Sequence, residues 1–149
     1  MKKLLIVALA LALTVLPCLT LAASLPHIDL SGTIQWDLTR LGYTMAYAQM
    51  YDMLTNPANY VGQTLKLRGT YYGPQPEGAD EPYHLILVKD ETACCEIGME
   101  FVVTGDTSAL TFPKEDAPIE LTGLISTIEV EGNTYPVLFV NEVVELPQE

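Results

Sequence analysis

The 149-residue sequence predicts a mainly β fold, a small five-stranded barrel preceded by one packed α-helix. Three observations predict it. Short apolar runs recur between turn-forming residues from Thr64 to Leu146. One stretch ahead of them, Asp37–Asn56, carries a helical period. Glycines interrupt two of the runs, at Gly69 and Gly123, and a mid-strand glycine commonly marks the bulge or coil that bends a strand around a small barrel.

The chain opens on MKKLLIVALALALTVLPCLTLAAS, with Lys2 and Lys3 before an unbroken apolar run from Leu4 to Leu16. A basic start, an apolar core of that length and small residues after it read as a secretory signal over 1–23, too short for a membrane span. Cleavage after Ala22 or Ala23 leaves roughly 125 residues, enough for one modest core. No later segment reaches spanning length, so the processed chain is expected to be secreted or held at the cell surface. Val15-Leu16-Pro17-Cys18 offers the alternative of a lipid anchor at Cys18, although Pro17 before it and Leu19 and Leu21 after it fit that pattern poorly.

The full chain has 7 basic and 19 acidic side chains. Losing Lys2 and Lys3 leaves five against 19, or about −14. Such a field repels phosphate backbones and anionic lipid, which excludes nucleic acid as a partner, and it keeps a secreted domain soluble.

Residues 24–36 read as an extended lead-in, in which His27 and Asp29 are read as solvated polar residues. The domain proper runs over 37–149. In Asp37–Asn56, Asp37 or Thr39 can cap the helix and Asn56-Pro57 stops it. Tyr43, Tyr47, Met50, Tyr51 and Leu54 share one face, while Met45, Ala46, Ala48 and Met53 widen it, so the helix is expected to be buried on more than one side. Strand one is Thr64–Tyr72, where Leu65 and Leu67 alternate with Lys66 and Arg68. An acidic turn-rich loop, 73–82, follows. Strand two spans Tyr83–Lys89 and strand three Ile97–Val103. Strand four is Ile119–Val130, with a phase shift at Gly123 that hands the inner face from Ile119 and Leu121 to Leu124, Ile128 and Val130. Strand five is Thr134–Leu146. Five strands with coiling glycines in the first and fourth describe an OB-like barrel. Its helix lies ahead of strand one, whereas the usual OB helix lies between strands three and four. Strands two and three offer only Tyr83 and Phe101 as stacking platforms, again against nucleic acid.

The chemically unusual spot is Asp90-Glu91-Thr92-Ala93-Cys94-Cys95-Glu96. With Cys18 gone in the signal, no long-range disulfide framework is available, so the pair is free, self-joined or bound to something. In an extended strand the two side chains would point to opposite faces. A bridge between them needs Cα atoms about 4.4 Å or more apart, while a trans peptide holds them about 3.8 Å apart. Three readings stand side by side. One cysteine is a small buried apolar residue and the other incidental. Or two thiolates, with Asp90, Glu96 or Glu100, hold a soft or borderline ion such as zinc. Or the pair cycles between dithiol and disulfide. His84 is a weaker ligand candidate, since along an extended strand it lies about 13 Å from the turn. Catalysis by other routes lacks support: His27 and His84 sit in no recognisable motif, no Ser-His-Asp order can be drawn, and no glycine loop suits phosphate.

The run YAQMYDMLTNPANYVGQTLKLRGTYY, then KDETACCEIGMEFV and IELTGLISTIEVEGNTYPVLFV, resembles uncharacterised exported proteins and lipoproteins of Firmicutes with a Thr-Ala-Cys-Cys motif. It is more distantly similar to the soluble C-terminal part of a membrane-associated family encoded with permease-like proteins under zinc-responsive control. The close resemblance covers about Met45 to Val144, and the matching positions are Ala93, Cys94 and Cys95 with Asn56, Pro57 and Gly62. Thr92-Ala93 stands where the distant family has Ile-Ser. That family has no established activity, and the resemblance implies no more than added weight for the metal reading. The expected function is therefore a monomeric, non-enzymatic binding module whose partner is a metal ion or a cell-envelope protein. Its metal set is Cys94, Cys95, Asp90 and Glu96, its ion zinc, and its alternatives are a thiol-redox protein using Cys94 and Cys95 or a purely structural or protein-interaction domain.

Overall fold

A computed structural model describes residues 25–78, 82–130 and 132–148; the signal and Cys18 lie outside the described residues. Seven strands and one α-helix follow in order: β1 Trp36–Asp37, α1 Tyr43–Thr55, β2 Thr64–Tyr72, β3 Leu85–Lys89, β4 Glu96–Val103, β5 Pro118–Val130, β6 Asn133–Val140 and β7 Val144–Glu145. They form one sheet in the order β1-β2-β3-β4-β6-β5-β7, and β2 also pairs with β5. The five long strands thus close a ring of pairings, antiparallel except for β4 beside β6. No helix among the described residues is long and apolar enough to cross a membrane.

Alternation along the strands makes the core. Leu65 and Leu67 of β2, Ile86 of β3, Met99 and Phe101 of β4, Ile119, Leu121 and Ile125 of β5, and Leu138 of β6 are all essentially fully buried. Each contributes on the order of 1.5–3 kcal/mol relative to an exposed side chain. On the outer face of β2, Lys66 and Arg68 both reach Glu120 of β5, at 3.0 and 2.7 Å.

The inner face of β5 does not change hands at Gly123. Ile119, Leu121, Gly123 and Ile125 are buried in strict alternation, Leu124 lies on the other side, and the pairing runs without a slipped residue from Thr64↔Leu124 to Thr70↔Pro118. A Cβ at Gly123 would lie 2.4 Å from the Phe139 carbonyl oxygen, and one at Gly69 only 2.3 Å from that of Leu87. Both glycines are there because another strand's backbone passes too close for a side chain.

The helix is shorter than its apolar pattern. Asp37 caps a separate 3-10 turn, Leu38–Arg40, by accepting from the Thr39 amide, and Leu41 and Gly42 are extended before α1 begins. The helix packs on β3, β4 and β6 by one face only. Met50 and Met53 are fully buried, and Ala46, Tyr47 and Leu54 pack beside them. Tyr43, Met45 and Tyr51 are 72%, 62% and 55% exposed, so burial on more than one side is not found. The ring offers the helix a single surface, and the tyrosines at either end of the stripe extend past it.

The last apolar run is also divided. β6 stops at Val140 because Asn141 turns aside, its amide accepting from the Ile28 N–H at 3.0 Å and donating to the Ile28 carbonyl at 2.7 Å. The chain then crosses over as β7 to pair with β5. The lead-in is held at its other end as well, where Trp36 runs parallel to Leu65 and its indole N–H donates to Gln63.

Candidate metal centre

The hairpin β3–β4 ends at the pair Lys89↔Glu96, and Asp90–Cys95 forms the turn. Asp90 shapes it. Its amide donates to the Cys95 carbonyl at 3.0 Å, its own carbonyl accepts from Ala93 at 3.0 Å, and its side chain accepts from the Cys94 amide at 3.2 Å. Short polar side chains that bind nearby amides favour turns over continued strand. Ala93 has φ of +54°, a left-handed conformation that interrupts the side-to-side alternation of a strand.

The consequence is that neighbouring cysteines face one point. Both are free thiols and both are exposed, with their sulfurs 3.6 Å apart. Cys94 Sγ lies 3.6 Å from Asp90 Oδ2, and one donor atom from each of Asp90, Cys94 and Cys95 falls within 4.8 Å of the others. Two thiolates on one tetrahedral zinc stand about 3.8 Å apart, and a thiolate and a carboxylate oxygen about 3.6 Å, given bond lengths of roughly 2.3 and 2.1 Å. The spacing fits such an ion.

The electrostatics favour a cation too. Burial works to raise the Asp90 carboxyl, but hydrogen bonds from Thr92 and from the Cys95 and Cys94 groups outweigh it and hold it below the usual carboxylate range. The Thr92 hydroxyl donates to that carboxylate at 3.0 Å and lies equally close to Cys94 Sγ. Cys95 is pushed above the usual thiol range, first by its hydrogen bond with Cys94, then by the charge of Cys94, by burial and by the Asp90 carboxylate. Donors that resist ionising together are what a bound cation relieves.

The other candidates lie elsewhere. Glu96 is paired with Lys89 at 3.7 Å, its side chain about half exposed. Glu100 sits further along β4 opposite Leu85, where burial raises its carboxyl. His84 stacks on Phe112 with ring centres 3.6 Å apart and meets the Tyr71 hydroxyl at 2.9 Å through Nδ1. His27 and Asp29 line a shallow hollow with Asn141, and Asp29 accepts from the Ser31 amide and hydroxyl.

The helix supplies a wall that the sequence reading placed in the core instead. Thr44 of α1 approaches Glu91 of the turn at 3.4 Å, and Tyr47, one helical turn on, faces the same turn. Burial, then the charges of Cys95 and Asp90, raise the Tyr47 phenol. Its place in the stripe with Tyr43 and Tyr51 was visible, but its nearness to the cysteines depends on how α1 docks. Set against protein-family models, curated proteins and solved structures, the chain matches none.

Proposed function

We propose that this protein is an exported, non-enzymatic binding module of OB-like architecture that holds a zinc ion through Cys94, Cys95 and Asp90. The carrying observation is the spacing of 3.6 Å between the two sulfurs and 3.6 Å from Cys94 to Asp90, which suits a shared tetrahedral ion. The five-strand ring with β6 inserted between β4 and β5 supports the OB-like reading, since a Greek-key barrel needs such a crossing. The basic and apolar start of the chain supports export, with the processed chain secreted or at the cell surface.

The same 3.6 Å separation favours the redox alternative, in which the thiols close to a disulfide. Two features weigh against it. Cys95 is held above the thiol range, which lowers its thiolate fraction, and a trans peptide between adjacent residues strains the bridge.

The test is metal content and thiol titration on the processed protein purified without chelators or a histidine tag. About one zinc per chain is expected, lost when Cys94→Ser and Cys95→Ser are combined. That double variant should stay within about 0.5 kcal/mol of the metal-free parent in stability, because both side chains are exposed, and should lack the added stability that zinc gives the parent. Metal-free protein with two freely titrating thiols and no zinc uptake would sink the reading.

A further inference from the structure

We infer that the Asp90–Cys94–Cys95 group is an exchange site, which passes its ion to an acceptor by admitting the acceptor's thiol as the fourth ligand. The inference rests on the zinc reading and adds how the ion comes and goes. Zinc sites that serve structure are closed by four protein ligands, whereas sites that react keep a position open. Among the described residues the group holds three donors, and both cysteines are exposed at the tip of a hairpin. Glu96, the adjacent carboxylate, is turned to Lys89.

The second observation is that the backbone of the turn is fixed by bonds in which no sulfur takes part, although Cys94 Sγ also meets Thr92 and Asp90. The bonds from Asp90 N–H to Cys95 O, from Ala93 N–H to Asp90 O and from Cys94 N–H to Asp90 Oδ1 are all made by backbone groups and the carboxylate. A site of this kind keeps its donors assembled when the ion leaves, so transfer does not require unfolding. That differs from metal-dependent small domains, in which binding and folding are one event.

The ligand exchange balances simply. The acceptor sulfur bonds to zinc and its proton passes to solvent. The bond from zinc to the Asp90 oxygen breaks first, since a borderline ion prefers thiolate to a carboxylate already engaged by Thr92 and the Cys94 amide. The bonds to Cys94 and Cys95 follow as further acceptor donors replace them, the two released thiolates take up protons from solvent, and no oxidation state changes. Two thiolates and one carboxylate on a divalent ion leave a net negative centre, on a chain of formal charge −12. That field selects an uncharged or cationic thiol over an anionic one. The partner class is a protein that presents cysteine on a neutral or basic surface.

The experiment uses the processed protein under anaerobic conditions, loaded with cobalt(II) or zinc, and N-acetylcysteine amide as a neutral monothiol. With cobalt, the thiolate-to-metal absorption should rise by about half as three thiolates replace two. With zinc, transfer to a chromophoric chelator should speed up in proportion to the monothiol concentration. A cobalt band that ignores the monothiol, with zinc leaving at a rate independent of it, would overturn exchange while leaving the zinc site standing. No thiolate-to-cobalt band at all would overturn the zinc reading and this inference with it.

Discussion

The hairpin β5–β6 turns within two residues, Val130 pairing with Asn133, whereas β3–β4 takes six, from Lys89 to Glu96. The short turn has Gly132 at φ of +81°. Its strands stay paired over eight rows and bury Ile125, Leu138 and Val140. The wide turn is held by two backbone hydrogen bonds together with the Asp90 side chain, and it gathers two thiols and a carboxylate. The β3–β4 strands still pair over five rows and bury Ile86, Met99 and Phe101, so in this hairpin the donor cluster is confined to the turn. A tight glycine turn leaves no room for a site, and a wide polar turn adds little to the core.

The sharpest way to break that contrast is to damage the core of the tight hairpin. Leu138→Ala removes a fully buried side chain and is expected to cost about 2–5 kcal/mol in chemical denaturation. Zinc bound per folded chain should not change. A fall in zinc uptake by the fraction that remains folded would show that the two hairpins are coupled.

The contrast also explains what was legible in the sequence. Leu65, Leu67, Ile119 and Leu121 alternate with polar residues, so the β-rich class and the inner face of β2 could be read directly. Gly123 could not. A missing side chain looks the same whether the strand bulges or a neighbour crowds it, and here Phe139 crowds it. The tyrosine stripe of α1 is periodic, but which tyrosine is covered depends on the width of the surface it docks on, and only Tyr47 is packed. At the turn, the short spacing of Asp90, Cys94 and Cys95 limited the possibilities, so their meeting could be foreseen. Glu96 belongs to β4, and its cross-strand neighbour Lys89 decides its direction.

A smaller effect should appear in the pH dependence of the wide turn. Cys95 keeps its proton above the usual thiol range because of Cys94, and zinc must displace it. Zinc affinity should therefore rise by about tenfold per pH unit for that proton, between about pH 6 and 8. Asp90 is held below the carboxylate range and is already ionised there, so it adds no slope. The sign for the metal-free protein is opposite. A raised thiol contributes stability below its unfolded value, about 8.5, and loses it as pH rises through the folded value. Competition titrations at several pH values measure the first, and denaturation of metal-free protein the second. A flat zinc affinity would mean that Cys95 is not a ligand.

The smallest expected effect makes the two turns alike at one position. Ala93 holds a left-handed φ of +54° that costs an alanine about 1–2 kcal/mol, while Gly132 holds its own at no such cost. Ala93→Gly relieves that cost but loses more chain entropy on folding, so the net gain should be about 0.5 kcal/mol, read from the denaturation midpoint. Ala93→Val should move the other way by about 1–3 kcal/mol, since a branched side chain tolerates that conformation worst. If the thiols are gathered by the backbone, Ala93→Val should also weaken zinc binding, because relieving the strain swings Cys94 away from Cys95. If Ala93→Gly destabilises the protein and Ala93→Val leaves zinc affinity untouched, position 93 does not shape the turn, and Asp90 alone sets it.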